Sequence, residues 1–182
     1  MTLISYIVLA LALGIQAFVA LRNSAAAHPM RLTRGVLVSV LLALVFAALL
    51  AGGMTVGEML RWDVPQVDKS IALGLFGVVV VKQLFSLRAS ATTGYDIQRL
   101  GAAIVVALAL GINALLLGMG VGFVANLSAD WLKMALPLLL LVSLMGTWGI
   151  MLGRKQVDIR PRRWLYISML CLLVVAVVAC LV

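Results

Sequence analysis

The sequence predicts an all-α membrane protein of six transmembrane helices, built as a 3+3 inverted repeat, and three observations predict it. The first is composition: of 182 residues, 65% are hydrophobic and 11% charged, with a mean hydropathy of +1.22. Soluble domains run to about 45–50% apolar and about 25% charged. The second is segmentation, because six apolar runs divide the chain, each near the length of about 20 residues that crosses a hydrocarbon core. The third is a repeat. Residues 7–17 read IVLALALGIQA and residues 104–114 read IVVALALGINA, identical at nine of eleven positions at an offset of 97. Three crossings, an odd number, separate the copies, so the second copy runs through the membrane in the opposite direction to the first.

The first span runs over about residues 3–21 and is read as a retained helix. Small residues at Ala25 and Ala27 resemble a cleavage pattern, but no basic stretch precedes the apolar run, and its first arginine, Arg22, follows it. A loop from Arg22 to Arg34 then holds three arginines, the lone His28 and Pro29. With no second ligand nearby, His28 reads as a solvated loop histidine. Span two, about 35–56, contains no ionisable residue and reads as a packing helix. The loop from Gly57 to Lys69 carries Glu58, Asp63, Asp68, Arg61 and Lys69, with Trp62 and Pro65 suiting an interfacial turn.

Span three covers about 70–87, with Lys82 and Gln83 near its end, where a lysine can snorkel to the headgroups. Residues 88–99, RASATTGYDIQR, form a polar seam between the halves 1–90 and 91–182. Span four, about 100–124, repeats Gly111, Gly118 and Gly122 at helical spacing with Ala107 and Ala114, a smooth face on which another helix can lie closely; Gly14 holds the place of Gly111 in the first copy. Asp130 and Trp131 precede span five, about 132–152, in which Pro137 removes a backbone donor and favours a kink. The loop GRKQVDIRPRR, residues 153–163, is the most basic stretch, and Pro161 suits the first turn of span six, about 164–182.

Charge sets orientation. Loops one, three and five hold 11 of the 14 Lys and Arg residues, counting Lys82, and loops two and four hold the other 3. By the positive-inside rule the odd loops are cytoplasmic and both termini face outward, in a protein expected in the cell (inner) membrane. The net charge of +8 is therefore a topology signal. No basic groove with interleaved aromatics points to nucleic acid, so the lipid bilayer and a small ion or small molecule are the expected partners, with no oligomeric state implied. Cys171 and Cys180, nine residues apart on one helix, are about 13 Å apart and face opposite sides, which precludes a bridge.

The repeat carries one chemical signal. Gln16 and Asn113 are the only strongly polar side chains near the middle of their spans, at the same place in both copies. Such groups in hydrocarbon demand partners, and an inverted repeat brings the first and fourth helices together at a midplane site. The GIQAF stretch, the GINALLLGMGVGF stretch at residues 111–123, the length and the six spans resemble the MntP-type manganese efflux pumps of the LysE transporter superfamily. In that family the two stretches read like MDAF and LDAMAVGVG, and its aspartates align with Gln16 and Asn113. The resemblance implies a secondary transporter for a divalent cation, with Gln16 and Asn113 as ion and metal ligands. It implies no cofactor; Mn2+ enters only as transported substrate. This chain also lacks the family's acidic groups in the second and third spans, since Glu58, Asp63, Asp68, Asp96, Asp130 and Asp158 all lie outside the apolar cores.

Three readings of function follow. One is divalent-cation export through an amide site, and the second is transport of a less demanding substrate on the same fold, favoured by the missing carboxylates. In the third, a non-transporting membrane subunit uses Gln16 and Asn113 only to hold helices together. No embedded nucleophile, acid–base pair or metal-ligand cluster points to an enzyme.

Overall fold

The computed structural model describes residues 3–28, 30–62, 64–89, 97, 100–124, 127–157 and 160–181. They form six helices: α1 (Leu3–Ala27), α2 (Leu32–Met59), α3 (Pro65–Ala89), α4 (Leu100–Val124), α5 (Leu127–Arg154) and α6 (Pro161–Leu181). The all-helical prediction holds, and 5 of the helices are long and apolar enough to cross a membrane. The exception is α3, whose described part is interrupted by Asp68, Lys69 and Lys82. Pro29, Asp63, Asp96 and Asp158, with most of the 88–99 linker, lie outside the described residues, as do the side chains of Asp130, Trp131 and Cys180. Cys171 is a free thiol.

Several helices outlast their apolar runs. Arg22 belongs to α1, which continues through Ala27, and Glu58 belongs to α2, so the first two loops are shorter than expected. Alanine has the highest helix propensity, which suits the run Ala25–Ala27 to continue α1 past Arg22. Asp68 lies in the first turn of α3 and is 3% exposed. It accepts the Trp62 backbone N–H at 3.0 Å and faces Arg61 at 3.8 Å, an acid placed where the helix N-terminus favours negative charge. α5 runs unbroken through Pro137, and Pro161 opens α6 as expected.

The helices associate across the expected halves. α1 lies along α5 and α2 along α4, with α2 also touching α5; α6 covers α1, α3 covers α4, and α3 meets α6. Two glycine interfaces set the spacing. Gly53 and Gly57 of α2 lie against the backbone of Leu115 and Met119, while Gly118 and Gly122 of α4 lie against the backbone of Leu50 and Met54. Gly149 and Gly153 of α5 lie against the carbonyls of Phe18 and Arg22 on α1. A Cβ at any of these positions would overlap backbone, so glycine is what permits the close approach. Contacts advance together along both members, which makes each pair parallel. Phe18, Trp148 and Trp164 add an aromatic cluster joining α1, α5 and α6, with ring centroids 5.1 to 6.3 Å apart.

Candidate functional site

Gln16 sits halfway along α1 and Asn113 halfway along α4, 6% and 8% exposed. The structure brings them together. Asn113 Nδ2 donates to Gln16 Oε1 across 2.9 Å, although α1 and α4 do not lie along one another among the described residues. The amide pair is therefore a bridge between two helices that each have another main partner. Local geometry explains the aim of both side chains. Gly14 lies against Leu141 and Met145 of α5, and Gly111 against Val45 and Leu49 of α2. An amide two residues further on is turned by about 200° around the helix, away from that partner and toward the interior of the bundle. Gly118 and Gly122, the other packing glycines expected on α4, meet α2 as described above.

One bond between two carboxamides leaves two of their four polar atoms unused. Gln16 Nε2 and Asn113 Oδ1 are buried without a partner, an open donor beside an open acceptor. Exchanging oxygen and nitrogen in both amides would leave the same tally. The pair is uncharged, and no group of three or more His, Cys, Asp or Glu that could hold a metal ion occurs among the described residues.

A second buried polar node reaches α1 at Ala12, one turn before Gln16. Ser168 of α6 is fully buried and donates its hydroxyl to the Ala12 carbonyl at 2.9 Å. Gln83 of α3, 4% exposed, donates Nε2 to Ser168 Oγ at 3.3 Å. The sequence sets Gln83 near the end of its apolar run, and Ser168 stands out there by neither motif nor repeat. The signal that could have found Ser168 is the one that found Gln16, an isolated polar group well inside an apolar span.

At one end of the bundle, Arg22 joins α1 to the α5–α6 connection. Its Nη2 donates to the Val157 carbonyl at 2.7 Å and its Nη1 to Asn23 Oδ1 at 3.1 Å. The carbonyl it grips is presented by a helix stop: Gln156 adopts φ 50°, and the Val157 N–H returns to the Leu152 carbonyl at 3.2 Å, the bond pattern of a Schellman cap. Compared with known protein families, curated proteins and solved structures, the chain matches none of them.

Proposed function

We propose that the chain is a secondary transporter of the cell membrane, built as a 3+3 inverted repeat with both termini outside, that moves a small solute through the Gln16–Asn113 site. The observation that carries this reading is a set of equivalences between the halves. Residues 96 positions apart share burial: Val38 and Met134, Leu42 and Leu138, Phe46 and Val142, and Met54 and Ile150 are buried pairs on α2 and α5. Ala72 and Ser168, Phe76 and Leu172, and Val79 and Val175 are buried pairs on α3 and α6.

Contacts recur in the same way. Gly149 meets the Phe18 carbonyl and Gly53 the Leu115 carbonyl; Gly153 meets that of Arg22 and Gly57 that of Met119. Recurrence of both burial and contact is what an approximate two-fold axis generates, and that axis would pass by the amide pair. Inverted repeats of this kind let one midplane site open to either side. The resemblance to manganese efflux pumps fits this architecture. Two neutral amides offer no charge to offset dehydration of a divalent ion, so the donor set favours a less demanding cargo. The contact of Arg22 with Val157 sets the C-terminal part of α1 beside the α5–α6 connection, in keeping with the basic asymmetry of the loops.

A second reading is favoured by the directness of the 2.9 Å bond: the amides serve only to join helices. Thiol labelling separates the two. Leu13→Cys and Leu117→Cys, one turn from each amide on fully buried positions, should react with a small membrane-impermeant thiol reagent, after Cys171 and Cys180 are replaced, if the site opens to water. A bundle that is only glued leaves both thiols unlabelled from either side.

A further inference from the structure

We infer that Gln83 and Ser168 complete the Gln16–Asn113 site, and that the site takes a small neutral solute with N–H donors and one acceptor, such as a primary carboxamide or urea. This rests on the transport reading above. In an α-helix the Ala12 carbonyl is the group that accepts the backbone N–H of Gln16, and it points toward Gln16. The Ser168 hydroxyl that bonds this carbonyl at 2.9 Å therefore lies at the level of Gln16. The Gln16 side chain, tilted toward the helix N-terminus, leans back toward the same level. Gln83 follows through its bond to Ser168. Helices α1, α6, α3 and α4 close the circuit: α1 touches α6, α6 touches α3 and α3 touches α4, while the amide bond spans α4 to α1.

The hydrogen-bond tally then specifies the ligand. A carbonyl cannot donate, so Ser168 must give its only proton to Ala12. Gln83 must in turn give Nε2 to Ser168, which fixes its amide orientation and leaves Oε1 open. Gln83 Oε1, Asn113 Oδ1 and Gln16 Nε2 are buried without partners, two acceptors and one donor. A buried polar group left unpaired is costly, so each is an incentive to bind. Urea and small carboxamides answer all three with two N–H donors and one carbonyl. A cation would find two carbonyl oxygens but meet the Gln16 amide protons as well, and an anion would find two acceptors opposing it.

The test is uptake of radiolabelled urea and acetamide into proteoliposomes. The parent should carry both above protein-free vesicles, each should compete with the other, and an imposed membrane potential should leave the rates unchanged. Gln83→Met, of similar length but without the acceptor, should lower uptake about tenfold, as expected for one lost hydrogen bond in a desolvated site. Ser168→Ala, which frees the Gln83 amide to turn, should raise the KM for urea while sparing the maximal rate; a merely structural role would not split the two. Equal uptake by parent and Gln83→Met, or no urea or acetamide uptake by a folded parent, overturns the inference. Labelling at Leu13→Cys and Leu117→Cys without such uptake, or flux of radioactive Mn2+ alone, overturns the solute class and leaves transport standing. Absence of labelling and of all flux removes both readings.

Discussion

Gly57 of α2 and Gly122 of α4 meet backbone to backbone. A Cβ added at Gly57 would stand 3.1 Å from the Gly122 Cα, and one added at Gly122 would stand 3.0 Å from the Gly57 Cα. With no hydrophobic drive between helices in lipid, this closeness is what van der Waals attraction and lipid release act upon. Gly57→Leu or Gly122→Leu should therefore lower stability by about 1–3 kcal/mol or more through overpacking. Gly52→Ala and Gly74→Ala, which meet nothing within 4 Å, should be neutral or gain up to about 1 kcal/mol from helix propensity. Thermal unfolding in detergent distinguishes these outcomes, and equal losses at all four positions would contradict the interface.

The amide bridge calls for a double-mutant cycle. Gln16→Leu or Asn113→Leu alone strands the partner, whereas the double variant removes both polar groups. The coupling energy should fall at about 0.6–1.7 kcal/mol, the range for interhelical hydrogen bonds in membranes. Additive single losses would mean that the two side chains do not bond in the membrane.

Carboxylates at these positions should supply the charge that the amide pair lacks. Gln16→Asp with Asn113→Asp should bind Mn2+ more tightly than the parent by calorimetry. The gain should shrink as pH falls, because protonation neutralises the carboxylates before the ion can. A well-folded double variant with no measurable Mn2+ binding would show that the two positions do not form a cation site.

Gln156 holds φ 50° at the stop of α5, a conformation that costs an L-residue about 1 kcal/mol relative to glycine. Gln156→Gly should raise the unfolding midpoint and leave the Arg22 contact with Val157 intact. A lowered midpoint would show that the Gln156 side chain contributes more than its backbone costs.

The basic asymmetry of the loops predicts an orientation that labelling can check. Cysteines introduced at Ala27, Ser90 and Lys155, after replacement of Cys171 and Cys180, should resist an impermeant reagent in intact cells, and those at Met59 and Ser128 should react. The reverse pattern would invert the orientation while leaving the fold unchanged.

Sequence alone determined the all-helical class, the approximate places of six helices, five of them long and apolar enough to cross a membrane, and the identity of one buried pair. An amide isolated in an apolar run, repeated 97 residues later, has little to do except find its counterpart. The α4 glycines were equally legible, as a smooth face. Only the tertiary structure decided which faces meet. Gly52 with Gly149 and Met54 with Met151 keep the 97-residue offset in sequence, yet Gly52 meets nothing and Met151 is 42% exposed. The glycines that meet backbone are Gly53 and Gly57 on α2 and Gly149 and Gly153 on α5, 96 residues apart rather than 97. The partner choice of α1 and the burial of Gln83 against Ser168 were likewise invisible along the chain. The reason is physical. In water, an apolar stripe against a polar face announces which side of a helix is buried; in lipid both sides are apolar, so hydrophobic periodicity carries little information. What remains readable is the rare polar group, which must be satisfied, and what remains hidden is the fit of backbone against backbone that three-dimensional packing alone selects.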